Sequence, residues 1–219
     1  MKVITISRYL YSGGMTIGQK VADELGYSFV TKETIEKIMD QYGMVDFDKV
    51  YESAPGLLDR VDPIQEDMIH FLGKLMQAIA LHGSIVLLGR GSFSFFPDYS
   101  DVLNVRLWAP VEVRVGRLME RTNNTSWRIC MNEVTEHDNS RKAFVERWLH
   151  GHPDQANAFD LVINTGKVPL DSAVRIIVDT ARESRDLVMD NHKTVKSLEV
   201  DSLLLETVNE VLGKLDRVH

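Results

Sequence analysis

The sequence lacks the features that mark several classes of protein. One cysteine, Cys130, occurs in 219 residues, which excludes an internal disulfide and suits a reducing compartment. No apolar run approaches the roughly 18 residues of a membrane-spanning helix, and the N-terminal run is interrupted at Arg8, unlike a signal peptide. Basic residues number 25 against 32 acidic ones, a net charge of −7, which argues against nucleic-acid and membrane-surface binding. We therefore expect a cytoplasmic protein whose partners are neither nucleic acid nor membrane.

Several catalytic patterns are missing as well. His137, His150 and His152 lie close together in the chain, but their spacing fits no zinc site and no cysteine accompanies them. No nucleophile triad, Rossmann fingerprint or pair of catalytic carboxylates is discernible. A content of 44% hydrophobic and 26% charged residues is ordinary, and the length suits one α/β domain with an appendage.

What is present is an alternation of apolar runs and helical periodicity. This alternation predicts a parallel sheet covered by helices on both faces, because continuously apolar strands are typical of sheets buried on both sides. Strands are expected near 2–7, 84–89, 102–108 and 160–164, with 27–30 as the best candidate for a fifth. Helices are expected near 15–25, 32–42, 63–82, 111–122, 127–150 and 170–184.

The C-terminal part carries an apolar stripe with helical spacing. Its members follow one another at intervals of 4, 3, 4 and 3 residues and are Leu204, Val208, Val211, Leu215 and Val218. Such a stripe covers one face of a helix. We interpret residues 1–184 as the main domain and 185–219 as a helical extension, which either docks on its own domain or forms a homodimer.

The segment between the first strand and the first helix predicts an anion site. The turn Ser12-Gly13-Gly14 follows an apolar strand and precedes a helix, so backbone N–H groups and the positive helix end point the same way. The usual phosphate loop reads G-x-x-x-x-G-K-[ST], and its second Gly falls on Gly13. Its other positions then fall on Arg8 for the first Gly, Gly14 for the Lys and Met15 for the Ser/Thr, with Thr16 one place later.

Four segments together resemble the cytidylate kinase-like family of P-loop proteins over roughly residues 1 to 182. The first is Ile6-Ser7-Arg8 with Ser12-Gly13-Gly14 and Ile17-Gly18, and the others are Leu88-Gly89-Arg90-Gly91, Asp138-Asn139-Ser140-Arg141 and Asp160-Leu161-Val162-Ile163-Asn164-Thr165. The resemblance implies a three-layer P-loop kinase-like sandwich with ATP and Mg²⁺ as cofactors. One position and one segment depart from the family. Met15 stands where many members carry Arg, and residues 29–34 stand in place of the acceptor segment of true cytidylate kinases.

The resemblance also implies roles for particular residues. The donor phosphates would lie on Ser12, Gly13, Gly14, Met15 and Thr16, and the Thr16 hydroxyl would reach Mg²⁺. Arg8 would fold over the loop in place of the lysine, with Arg117 and Arg121 closing from a lid at about 117–137. Arg90, Asp138 and Arg141 would hold the acceptor. Asp138 and Arg141, three apart on a helix, can hydrogen-bond each other. The alternatives are structural: a tight turn without a ligand, and surface ion pairs for the charged residues.

Three functions are compatible with these residues. The first is transfer of the γ-phosphoryl group of ATP to a nucleoside monophosphate such as CMP. A second is a degenerate kinase that binds a nucleotide or phosphorylated metabolite without catalysis, which the absent lysine favours. A third keeps the kinase and changes the acceptor to a non-nucleotide metabolite, which the altered acceptor segment favours.

Overall fold

The computed structural model describes residues 2–45, 47–52, 63–123, 125–184 and 193–215. The strands are β1 Val3–Arg8, β2 Ser28–Val30, β3 Ile85–Leu88, β4 Val102–Trp108 and β5 Leu161–Asn164. The helices are α1 Gly14–Leu25, α2 Lys32–Gln41, α3 Phe47–Glu52, α4 Pro63–His82, α5 Val111–Thr122, α6 Trp127–Trp148, α7 Leu170–Glu183 and α8 Ser202–Leu215. Only α3 was not anticipated from periodicity. Within these ranges, no helix has both the length and the apolar character needed to cross a bilayer.

The five strands form one parallel sheet in the order β2-β3-β1-β4-β5. β1 lies at the centre, with Val3 opposite Ile85 of β3 on one side and Val102 of β4 on the other. Since all strands run the same way, the segments that follow β1 and β3 emerge next to each other at the carboxyl edge, where open parallel sheets bind ligands. The predicted parallel sheet is confirmed, including its short fifth strand.

Alternating side chains of the strands divide the core between the two faces of the sheet. Ile4 and Ile6 of β1 pack with residues of α1 and α7, such as Val21 and Ile177. Val3 lies on the other face, in a larger cluster with residues of α2, α4 and α8. Helices therefore cover the sheet on both faces, and the predicted three-layer sandwich is confirmed.

The C-terminal helix packs on its own chain. Val208 and Leu212 of α8 are fully buried and belong to the same cluster as Leu72 of α4. Two hydrogen bonds reinforce the contact, between the Tyr42 and Thr207 hydroxyls at 3.0 Å and between His82 Nδ1 and Asn209 Oδ1 at 2.8 Å. The described members of the apolar stripe, Leu204, Val208 and Val211, are thus part of the core. The Leu215 side chain and Val218, also members of that stripe, lie outside the described residues.

Candidate functional site

The turn between β1 and α1 has the geometry of an anion site. Gly13 precedes α1 in the left-handed region, at φ 85°, and a Cβ there would lie 2.7 Å from Leu170 Cδ2. Glycine is therefore required by the backbone and by the packing. No side chain caps α1 and no acidic residue lies in its first turn. Gly14, Met15 and Thr16, which carry the first N–H groups of the helix, line a cavity of about 450 Å³.

Ser12 shapes this loop from inside. Its hydroxyl donates to the carbonyl oxygens of Tyr9 at 2.8 Å and Leu107 at 3.4 Å, and its backbone N–H donates to the Tyr9 oxygen at 3.3 Å. Ser12 is fully buried and is not among the residues that line the 450 Å³ cavity. The structure thus places the Ser12 side chain behind the predicted phosphate-binding surface.

Three successive carbonyl oxygens, those of residues 10 to 12, accept hydrogen bonds from outside the loop. The donors are, in order, Arg114 Nη1 at 3.2 Å, Arg117 Nη1 at 3.1 Å and Thr165 Oγ1 at 2.8 Å. Arg117 Nη2 also donates to the Thr165 carbonyl at 2.7 Å. Because the carbonyls are occupied by the protein, the loop is left to offer N–H groups to an anion.

Arg8 lies across the loop from Gly14 to the end of β3. A Cβ on Gly14 would lie 2.8 Å from Arg8 Cγ, and a Cβ on Gly89 would collide with the Arg8 guanidinium. These two glycines therefore leave the space through which the Arg8 side chain passes. Arg8 lines the 450 Å³ cavity beside Gly14. Gly14 stands at the position that a lysine occupies in the usual phosphate loop.

The predicted lid arginines differ in how they are held. Arg117 lines the cavity but is tied to backbone carbonyls, as described above. Arg121, near the end of α5, is exposed and lines the same cavity. Among the described residues, Arg121 has no hydrogen bond or ion pair. Of these two lid arginines, Arg121 is therefore the one that can move toward a bound anion without first giving up partners.

The three predicted acceptor residues do come together. Arg90, Asp138 and Arg141 line a small cavity of about 30 Å³. Arg90 follows β3 and is 2% exposed; it donates to the Glu36 carboxylate, and its guanidinium lies 5.3 Å from the centroid of the Phe47 ring. Arg141 is half-buried and makes no hydrogen bond or ion pair with the described residues, although its Nη1 is buried.

A neighbouring cavity of about 60 Å³ is lined by basic residues. Four of its lining side chains are basic, namely Arg8, Lys32, Arg90 and Arg141. Its remaining lining residues in the described chain include no carboxylate. Lys32 begins α2, and its Nζ lies 3.9 Å from Glu36 Oε1. The positive charges favour an anion in this cavity.

Asp138 does not pair with Arg141, although their spacing on the helix would allow it. Asp138 Oδ2 instead accepts from Arg114 Nη1 at 2.6 Å, and its Oδ1 accepts the Leu10 N–H at 3.2 Å. Arg114 is 6% exposed, and a buried guanidinium needs a counter-ion more than the half-buried Arg141 does. The i, i+3 spacing was correct for the helix but did not identify the stronger competitor for the carboxylate.

Sequence reasoning missed Arg106 and Tyr9. Arg106 is buried on β4 and donates to Ser7 Oγ at 2.7 Å, with its guanidinium 4.3 Å from the Tyr9 ring centroid. The Tyr9 hydroxyl donates to Asp154 Oδ1 at 2.7 Å. A charged residue inside an otherwise apolar strand is rarely buried without a partner, and that signal was available for Arg106.

The cavity offers oxygen ligands that suit Mg²⁺ carried by a nucleotide. Thr16 and Glu33 both line it, and the hydrogen bond from the Thr31 hydroxyl lowers the pKa of the Glu33 carboxyl. No group of three or more His, Cys, Asp or Glu residues in the described chain could hold a metal ion alone. Mg²⁺ in phosphoryl-transfer sites needs only one or two protein oxygens beside phosphates and water, so the residues fit this ion.

Among curated proteins, cytidylate kinases are similar in sequence to this chain. The cytidylate kinase of Saccharolobus islandicus strain Y.G.57.14 is 23% identical over 202 residues, 91% of this chain and 98% of that protein. The cytidylate kinase of Pyrobaculum aerophilum is 28% identical over 184 residues, 82% of this chain and 92% of that protein.

Solved structures share the fold at low identity. An uncharacterized protein from Eubacterium ventriosum superposes with a TM-score of 0.62 at 20% identity, covering 83% of this chain and 99% of that one. A sugar kinase from Janibacter sp. HTCC2649 superposes with a TM-score of 0.50 at 18% identity, covering 87% and 99%. Residues 3–167 match the sequence profile of the cytidylate kinase-like family. The match spans most of the chain and confirms the resemblance seen in the motifs, so the chain belongs to the cytidylate kinase-like family.

Proposed function

We propose that the protein transfers the γ-phosphoryl group of ATP to a small acceptor whose attacking group is itself a phosphate, most simply a nucleoside monophosphate such as CMP. Membership of the cytidylate kinase-like family supports a nucleotide or small-molecule kinase. The pyrimidine base is suggested by the names of the curated relatives alone.

One observation carries the proposal: two adjoining cavities share basic walls. The 450 Å³ cavity over the loop and the 60 Å³ cavity beyond it are both lined by Arg8, Lys32 and Arg141. The larger one has room for the donor phosphates next to the first N–H groups of α1, and the smaller one suits a single anionic group. An acceptor phosphate there would lie next to the end of the donor chain, as transfer requires.

The chain would supply charge and position, and little covalent chemistry. Backbone N–H groups at Gly13 to Thr16 would hold the donor phosphates, and Arg8 would supply the charge that a lysine gives in other loops. An arginine binds phosphate through a planar fork of N–H groups. Arg8 could therefore reach the phosphates from a position other than that of the usual lysine. Arg121 would neutralise charge on the group in transfer.

Arg117 would act differently from Arg121 in this scheme. Its hydrogen bonds to carbonyl oxygens make it a support of the loop, although it also faces the donor cavity. Thr16 would hold Mg²⁺ together with the nucleotide, and the ion would screen the phosphate charges. The acceptor anion would lie against Arg141, with Lys32 and Arg90 nearby, and an ionised phosphate needs no general base.

A nucleotide binder without catalysis is the second candidate. Gly14 stands at the lysine position, and Arg8 Cγ lies where a Gly14 side chain would begin. The site therefore has no room for the usual lysine unless Arg8 moves. If Arg8 does not reach the donor phosphates, they bind at the loop without transfer. A kinase for a phosphorylated non-nucleotide acceptor would differ from the main proposal only in what lies beyond the acceptor's phosphate, whereas a hydroxyl acceptor would also need a base to take its proton.

The test is a transfer assay on the purified protein. ATP and Mg²⁺ are supplied with CMP, UMP, AMP, GMP and a set of phosphorylated and hydroxylated metabolites, and ³¹P NMR follows ADP and the new phosphoanhydride or ester. We expect turnover with a nucleoside monophosphate. Turnover only with another metabolite would replace the acceptor class, and ADP binding without any transfer would establish the binder in place of the kinase.

A further inference from the structure

The peptide groups of Leu10 are held on both sides by one buried ion pair. The Leu10 N–H donates to Asp138 Oδ1 at 3.2 Å, and its carbonyl accepts from Arg114 Nη1 at 3.2 Å. The same Arg114 nitrogen donates to Asp138 Oδ2 at 2.6 Å. Arginine, carboxylate and peptide thus close a ring behind the phosphate loop. We name these three groups the Leu10 clamp.

We propose that Arg114 and Asp138 are positioning residues of the donor site, which fix the phosphate loop before the nucleotide arrives; this inference rests on the proposed function. It moves Asp138 from the acceptor side, where its sequence motif puts it, to the donor side. Each of its carboxylate oxygens accepts a hydrogen bond within the clamp, and a carboxylate repels an anion, so the acceptor phosphate is left to Arg141.

The clamp is anchored to a rigid pair of helices. Arg114 lies on α5 and Asp138 on α6, and Arg114 Nε is fixed by the Ala109 carbonyl at 3.0 Å. Val115 of α5 and Val134 of α6 belong to one small core cluster. The loop position is therefore set by how α5 packs on α6, and not by the loop sequence alone.

The conformation of the loop explains why it needs support. Tyr11 lies in the left-handed region at φ 59°, which is unfavourable for a residue with a side chain. Tyr11 follows the clamped Leu10, its carbonyl accepts from Arg117 Nη1 at 3.1 Å, and its ring packs against the α5–α6 cluster. Contacts from outside thus hold a conformation that the local sequence disfavours, and releasing them lets the N–H groups turn away from the phosphates.

The experiment compares two aspartates that each accept a backbone N–H, the partly buried Asp138 and the buried Asp101. Asp138→Asn removes the charge that holds Arg114, while Asp101→Asn changes a carboxylate that is 7% exposed and whose Oδ1 accepts the Val195 N–H at 2.9 Å. Asp101 precedes β4 and so lies at the opposite edge of the sheet from the loop. ADP binding is measured by calorimetry, thermal unfolding by calorimetric scan, and the acceptor KM at saturating ATP.

We expect both variants to lower Tm, and Asp138→Asn alone to raise the Kd for ADP, by about tenfold as for other residues that orient a binding group. The acceptor KM should stay at the parent value. Should Asp138→Asn fail to fold, Arg114→Lys keeps the charge, loses the fork that reaches Leu10, and is expected to weaken ADP binding in the same way.

Three results would overturn the inference. A raised acceptor KM with unchanged ADP affinity would return Asp138 to the acceptor side. A lowered Tm with unchanged ADP affinity, as for Asp101→Asn, would make the clamp purely structural. A parent that binds no ADP would remove both the inference and the proposed function, whereas a parent that binds ADP but transfers nothing would remove only the proposed function.

Discussion

The proposed donor and acceptor sides of the site hold their cations in different ways. On the donor side, Arg114 and Arg117 donate to backbone carbonyls of the loop. On the acceptor side, Arg90 contacts the side chain of Glu36, and Arg141 has no hydrogen bond or ion pair within the described residues. A guanidinium tied to backbone carbonyls fixes the shape of the loop, while one with unused donors, such as that of Arg141, can turn to an incoming anion. We infer from this difference that the proposed donor site is preformed and that the proposed acceptor site is completed by its own anion.

The largest expected effect is on Arg141, which lies on the proposed acceptor side. Arg141→Ala should lower kcat/KM for the acceptor by roughly 10- to 150-fold, because a hydrogen bond to a charged group contributes about 1.5–3 kcal/mol. ADP affinity should change little. Steady-state kinetics with the acceptor varied provides the measurement. Arg128→Ala is the matched control, since Arg128 is exposed on the same helix. Equal losses in the two variants would contradict the assignment of Arg141.

Arg8 lies between the two sides. Arg8→Ala should lower turnover at least tenfold, equivalent to about 1.4 kcal/mol of transition-state stabilisation.

Gly89→Ala should lower turnover in the same way, because the added Cβ would displace the Arg8 guanidinium. Gly83→Ala is its control: Gly83 has a similar positive φ but nothing within 4 Å of its Cβ position. If both glycine variants lose turnover equally, backbone strain and not Arg8 explains the loss.

Removal of the two lid arginines should have different effects: loss of Arg117 should lower stability, and loss of Arg121 should lower turnover. Arg117→Ala should lower the free energy of unfolding by about 1–3 kcal/mol, because partly buried carbonyl oxygens lose their donor. Arg121→Ala should leave Tm unchanged and lower kcat by a few-fold, since a solvent-exposed cation contributes modestly. Thermal scans and single-turnover rates measure the two effects. Unchanged stability in Arg117→Ala would show that the donor loop is not held as described.

The smallest expected effect concerns pH. Burial alone would raise the pKa of Asp154, but hydrogen bonds from Lys142 at 2.6 Å and from Tyr9 outweigh it and lower the pKa. Since the folded pKa lies below the unfolded one, the stabilisation is present above the ordinary aspartate pKa and is lost as the pH falls through the folded value. For this partly exposed group it should amount to well under about 1 kcal/mol. Urea titrations between neutral and acid pH should show it in the parent and not in Asp154→Asn.

Most of the fold could be predicted from the sequence, since its signals are local. Continuous apolar runs predicted four strands of a buried parallel sheet, and 27–30 was correctly taken as the fifth. Gly13 predicted the sharp turn before α1, where a side chain fits neither the backbone nor Leu170. Among the proposed site residues, Arg8, Thr16, Arg121 and Arg141 could be selected because motifs and spacing locate positions along the chain.

The sequence by itself determined the layers, the loop and the family of this protein. Only the tertiary structure decided which charges meet: Asp138 pairs with Arg114 of another helix and not with Arg141 one turn away, and α8 packs on α4. The physical reason is that local spacing makes some pairs possible, whereas burial decides among them. A buried guanidinium attracts a carboxylate from 24 residues away because leaving either charge unpaired in the interior is unfavourable.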